Sequence, residues 1–470
     1  MTAATAGGEI TAGRARVARN AVMAVFAVNG FAFASVVSRL PAIRGALHLD
    51  PGGLGLVLLA MSSGAVLALP SSGPIVHRLG PGRAVLAGAS LMSVGLVLAA
   101  LAPEALGASV PAIVVGFFAV GVGTGVWDVS MNVEGADVER HLGRPIMPRF
   151  HAAFSLGTVA GALVGSAAAW AHLGVAVHVL PLVVLVYATV VVSVRVFLPS
   201  HAGGARSAGP GTSADADADA DAGSSADRRR SGTALAWRER RTLLIGLMVL
   251  GMAFAEGSAN DWLAVGYVDG FRASQALAAA GYGVFVAAMT LGRLTGPAVL
   301  QRLGRVLTVR GGAVLVLGGV LVFVLGAAVS EGAASAGAVS GGAVSGGSRV
   351  AGLAVGTVGA VLWGLGASLG FPIGMSAAAD DPARSAARVS VVASIGYVAF
   401  LAGPPLLGTL GTHVGVVHAL LAVAGAVALA FAVAGAARPL VVPTDEAAPG
   451  ISTPGTATAG IAADSPKEAS

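Results

Sequence analysis

Four residues carry the chemistry this sequence can perform in an apolar setting: Asp128 with Asn132, and Glu256 with Asn260. Each pair sets an amide four residues after a carboxylate, so both side chains leave the same face of a helix. A carboxylate near the centre of a bilayer costs roughly 3 kcal/mol or more unless it faces a wet cavity, pairs, or takes up a proton. Asp128 and Glu256 are therefore expected to be proton-coupling acids. Asn132 and Asn260 are expected to hold a polar solute, together with Asn29, His151, and the rings of Trp127 and Trp363. Gly121, Gly125, Asp128 and Asn132 form one helical stripe in which small residues lead to the carboxylate and allow close approach of a neighbour or a ligand.

The elements that must position these groups are membrane helices. Of 470 residues, 55% are hydrophobic and only 11% charged, against about 25% charged in a soluble globule. Apolar runs of about 20 residues, each enough to cross a ~30 Å hydrocarbon core, recur at 19–40, 53–76, 82–102, 110–134, 149–170, 175–197, 242–266, 275–299, 307–329, 350–376, 389–410 and 414–437. The expected fold class is an all-α integral membrane protein with twelve transmembrane helices in two pseudo-symmetric six-helix halves. Residues 1–18 read as an N-terminus, 19–199 as the first half, 200–241 as a disordered Gly/Ser/Ala/Asp linker, 242–437 as the second half and 438–470 as a disordered tail. The tract 331–349 reads as an extended loop.

The halves resemble each other. Arg149, Ser155, Gly157, Val159 and Ala160 recur at an offset of 239 as Arg388, Ser394, Gly396, Val398 and Ala399. Parallel halves of three-helix repeats with polar sites where they meet are how alternating-access transporters are built, so spans 1, 4, 7 and 10 are expected to line a cavity and spans 3, 6, 9 and 12 to face lipid. Of the 28 Lys and Arg, all but Arg39, Arg44, Arg272 and Arg349 fall in the N-terminus, the even-numbered connections or the C-terminus, or close to them. The positive-inside rule then puts both termini in the cytoplasm of a multi-pass protein of the cell membrane. Arg78, Glu134, Arg149, Arg302 and Arg388 sit at that rim and are expected to gate.

The stretch "GPIVHRLGPGR" (73–83) and its second-half copy "GPAVLQRLGR" (296–305) resemble the loop between helices 2 and 3 of the major facilitator superfamily, with His77 at the family's Asp position. Within it, "WDVSMN" (127–132) resembles the fourth helix of fucose-permease-like sugar carriers, and "RFHAAFSLG" and "EGSANDW" resemble bacterial relatives of that branch. The resemblance implies a secondary transporter of a sugar or related small polar metabolite by alternating access, with proton symport. A proton-coupled exporter of amphipathic drugs or metabolites and a non-transporting membrane sensor or scaffold are the alternatives.

Other classes lack support. The basic net charge of +5 follows from topology and attraction to anionic lipid, so no nucleic-acid partner is expected. No Walker-type phosphate loop, no His pair at metal-ligand spacing and no cysteine is present, so an enzyme, a metal and a cofactor are not expected. The expected partners are a small-molecule substrate, protons and the lipid bilayer, with the chain acting as a monomer.

Overall fold

A computed structural model describes residues 12–144, 146–199, 234–340, 345–381 and 384–440. Among the described residues the regular structure is helical, and eleven helices are long and apolar enough to cross a membrane. One of them, Gln275–Ser340, is two spans broken at Gly304, whose φ of 71° and ψ of 171° leave the helical region. That gives twelve spans, and we number them so. The first six are Ala12–Val37, Pro51–Leu79, Pro81–Leu101, Val110–Leu142, Met147–Trp170 and Val175–Val194. Span 7 is Arg240–Phe271, spans 8 and 9 flank Gly304, and span 10 is Ser345–Ala367 continued by Gly370–Ala378. Span 11 is Ser385–Val414, and span 12 runs from Val416 through Leu421–Val433.

Turn chemistry in the sequence sets several ends. Asp50 caps span 2 by accepting from the Gly53 amide at 2.8 Å, with Pro51 at the first helical position. Such a proline lacks only an N–H that would have had no partner within the helix. Gly80 and Gly304 hold φ of 77° and 71° at equivalent joints, between spans 2 and 3 and between spans 8 and 9, a region that favours glycine because it has no Cβ.

Helix approach is set by small residues. A Cβ on Gly121 of span 4 would collide with the Met61 carbonyl oxygen of span 2, and one on Gly55 of span 2 would lie 2.6 Å from the Pro404 carbonyl of span 11. The latter contact joins the halves. Further links between them are the Gly52 amide donating to Thr412 Oγ1 at 3.1 Å, Ser166 Oγ donating to the Ala276 carbonyl at 2.8 Å, and the Arg44–Asp269 ion pair at 2.6 Å. All of these lie at the end of the bundle away from the chain termini, so the halves are closed on each other there. Spans 6 and 9 turn Val184, Leu185, Val192, Leu307, Leu321 and Leu325 outward, as expected of lipid-facing helices.

Two expectations about connections change. Residues 331–340 and 345–349 are helical and extend spans 9 and 10, where the Gly/Ser/Ala composition suggested an extended loop. Alanine there sustains the helix. Of the linker 200–241, residues 200–233 lie outside the described residues, as do 441–470 of the tail, while Ala234–Ala236 make a helical turn and span 7 has begun by Arg240.

Candidate functional site

A cavity of about 270 Å³ lies between the two halves. Span 4 brings Gly121, Thr124, Gly125 and Asp128 to it, the face anticipated from the sequence. Span 1 adds Phe33, and span 2 adds an apolar wall from Met61 to Leu69 interrupted by Ser62. Opposite them stand Gly257, Asn260 and Asp261 of span 7 and Tyr397 and Phe400 of span 11. Spans 2 and 11 thus line the cavity with 1, 4 and 7, and span 10 contributes none of these residues, contrary to expectation. The crossing of spans 2 and 11 at Gly55 and Pro404 brings these two helices to the centre.

Asp128 is exposed to the cavity and has no ion-pair partner among the described residues. Asn132, one turn later, donates from Nδ2 to the Asp128 carbonyl oxygen at 2.8 Å and to Asp128 Oδ1 at 3.4 Å. It orients the acid and is not itself a lining residue. Tyr397 of span 11 lines the same cavity as Asp128. Asn260 faces the cavity and accepts from the Tyr282 hydroxyl at 3.3 Å. Asp261 lines the cavity without a hydrogen bond or ion pair among the described residues.

Glu256 stands elsewhere. Its Oε1 accepts from Arg293 Nη2 of span 8 at 2.6 Å, with the glutamate side chain 17% exposed. The sequence supplied no counter-charge on span 7 itself, and the neighbouring span provides it. His151 is exposed, edge-on to Phe26 at 5.3 Å and within electrostatic range of Arg293, outside the cavity lining. Asn29 is buried, its Nδ2 set 3.9 Å from Met131 Sδ. Trp127 and Trp363 are fully buried. Gly88 of span 3 lies against the backbone and Cβ of Trp127, while Trp363 donates from Nε1 to the Ala255 carbonyl at 3.0 Å. Neither ring is placed to stack on a solute, because large aromatics fill the interhelical space that glycines leave.

The rim residues divide sharply. Arg388 is buried and grips Glu239 through Nε and Nη2 at 2.7 and 2.6 Å, with Asp381 at 3.3 Å. Asp380 bridges Arg305 at 2.6 Å and Arg241 at 2.9 Å. The Arg388 hydrogen bond holds the Glu239 carboxyl below the usual range. Burial pushes Asp380 up, but hydrogen bonds and charge from Arg305 and Arg241 outweigh it and leave a lowered value. Arg78, Arg149 and Arg302 are exposed and have no ion-pair partner among the described residues. In the second-half loop it is Arg305 that pairs with Asp380, while Arg302, expected to gate, is exposed. Glu134, 1% exposed, accepts the Leu198 amide at 2.8 Å and anchors the chain after span 6.

Sequence reasoning passed over Asp261, Tyr397, Phe400 and Asp380 as site residues. For Asp261 a signal existed: Gly257, Asn260 and Asp261 repeat on span 7 the small-to-polar stripe of span 4. Tyr397 and Phe400 gave none, since aromatic residues in a membrane helix usually pack.

The family model described as Major Facilitator Superfamily matches residues 22–358. An uncharacterized transporter, y4wD, of Sinorhizobium fredii is 28% identical over 83% of this chain and 90% of its own. An uncharacterized MFS-type transporter of Yersinia pestis is 28% identical over 82% and 86%. Among solved structures, the nucleoside transporter NupG superposes with a TM-score of 0.64 at 15% identity, covering 90% of this chain and 98% of that one. The E. coli fucose:proton symporter FucP gives 0.55 at 16%, covering 90% and 98%.

Proposed function

The chain belongs to the Major Facilitator Superfamily, and on that premise we propose that it moves a small polar solute, a sugar or related metabolite, across the cell membrane by alternating access coupled to proton symport. The observation that supports this is the cavity between the halves with Asp128 open to it and without a counter-ion among the described residues. A carboxylate so placed is neutralised by a proton when cut off from water and releases it when the cavity opens. Glu256 has its charge balanced by Arg293, so coupling is assigned to Asp128 and Glu256 to holding spans 7 and 8 together. Asn132 holds Asp128 in place, and the solute meets Asn260. The volume lies just below the ~300–1,000 Å³ range of drug-sized sites, which favours a metabolite over a bulky amphipath. Both termini lie in the cytoplasm in this reading, as the basic connections require.

The test is uptake into proteoliposomes. Radiolabelled sugars, sugar acids and amines are offered with and without an inward proton gradient. Accumulation of one of them that collapses with the gradient supports the reading, and binding without any movement contradicts it.

A further inference from the structure

The chemistry of the cavity wall narrows the solute further. Two carboxylates, Asp128 and Asp261, line it from opposite halves, and no Lys, Arg or His is among its lining residues. The cation on the adjoining helix, Arg293, is bound by Glu256. Asp261 is the more telling of the two, because it makes no hydrogen bond or ion pair among the described residues.

The remaining polar lining adds few donors. Thr124 Oγ1 spends its proton on the Val120 carbonyl at 2.8 Å, which leaves chiefly Ser62, the Asn260 amide and the Tyr397 hydroxyl. A neutral sugar can donate hydroxyl protons to these carboxylates but brings no charge to offset an ionised one. With Asp128 carrying the coupling proton, an ionised Asp261 in a water-poor cavity calls for a positive charge. An ammonium group has donors, no acceptor, and the charge. Phe400, Phe33 and the Tyr397 ring supply aromatic surface, and a ring face attracts a cation as well as covering its hydrocarbon.

We propose that the solute is a small organic cation whose amine is held by Asp261, while Asp128 across the cavity carries the coupling proton, with the body of the solute against the aromatic residues of spans 1 and 11. This rests on reading the cavity as the transport site and replaces "sugar" by "amine-bearing metabolite".

The test is a thermal-shift and calorimetric panel on the purified full-length protein with matched pairs: glucosamine against glucose, putrescine against butanediol, and choline against dimethylbutanol. At least one amine is expected to bind where its neutral twin does not. Asp261→Asn should weaken that binding by about tenfold or more, as loss of a charge-assisted hydrogen bond does, while Asp261→Glu retains it. Size-exclusion profiles confirm that each variant is folded. Equal binding of a neutral twin, or binding of none of the amines, overturns the proposal. Gradient-driven uptake of a neutral sugar without amine binding would overturn it and leave the carrier reading intact. An amine that binds but is never moved would overturn the carrier reading and leave the amine site intact.

Discussion

The two halves share an ancestral pattern but handle charge in opposite ways. In the second half several acids meet arginines: Glu256 with Arg293, Asp380 with Arg305 and Arg241, Glu239 with Arg388. In the first half Asp137 meets Arg140 and His141 at the exposed end of its own helix, and the other acids of span 4 meet backbone or the cavity. Glu134 and Glu139 accept main-chain amides, of Leu198 and of Ile146 and Met147, and Asp128 faces the cavity. The repeated arginine shows the divergence most plainly, since Arg388 is buried in an ionic cluster while Arg149 is exposed. The second half is stapled by arginines between its helices, and the first presents Asp128 to the cavity with no ion-pair partner among the described residues.

Breaking the staples should therefore cost stability in the second half alone. The largest effect is expected for Asp380→Ala, which strands two partly buried arginines at once. It should cost about 1–3 kcal/mol, less than a fully buried pair because Arg305 and Arg241 keep some solvent, read as a lowered melting temperature in detergent. Glu256→Gln should cost somewhat less, about 1–2 kcal/mol, and adding Arg293→Gln should restore part of it, because the unpaired cation is then gone.

Acid should sharpen the same contrast. Glu239 and Asp380 have lowered values in the folded protein. Their contribution is present above the unfolded values of about 4 and is lost as pH falls through the folded ones. The melting temperature of the parent should thus drop below about pH 4 more steeply than that of Asp380→Asn. Parallel curves would remove the clamp from the account. The smallest effect is expected at Arg149→Ala, within about 0.5 kcal/mol as for other exposed sites, whereas Arg388→Ala should exceed it clearly.

The spans were legible because a bilayer demands long apolar helices, and nothing else in the sequence resembles one. Asp128 was legible for the same reason, as a charge where charge is expensive. What could not be read was the partner across a helix interface. Glu256 has the spacing and depth of Asp128, yet Arg293, 37 residues away in sequence, changes its meaning. The tryptophans misled in the opposite sense: their surface suits a solute ring equally well as it suits Gly88 or Ala255, and only packing decides. Asp261 is masked by its neighbour Trp262, because a tryptophan in a membrane helix usually marks the interface, whereas Trp262 is 1% exposed and part of the core.

The central claim, that Asp128 and not Glu256 couples solute to protons, is tested most directly by one comparison in proteoliposomes. Accumulation of the best-binding member of the ligand panel is measured under an imposed proton gradient for the parent, Asp128→Asn and Glu256→Gln. The account predicts that Asp128→Asn abolishes gradient-driven accumulation while Glu256→Gln, once corrected for folded protein, retains it. Accumulation by Asp128→Asn at the parent's level, or its loss only in Glu256→Gln, would contradict it.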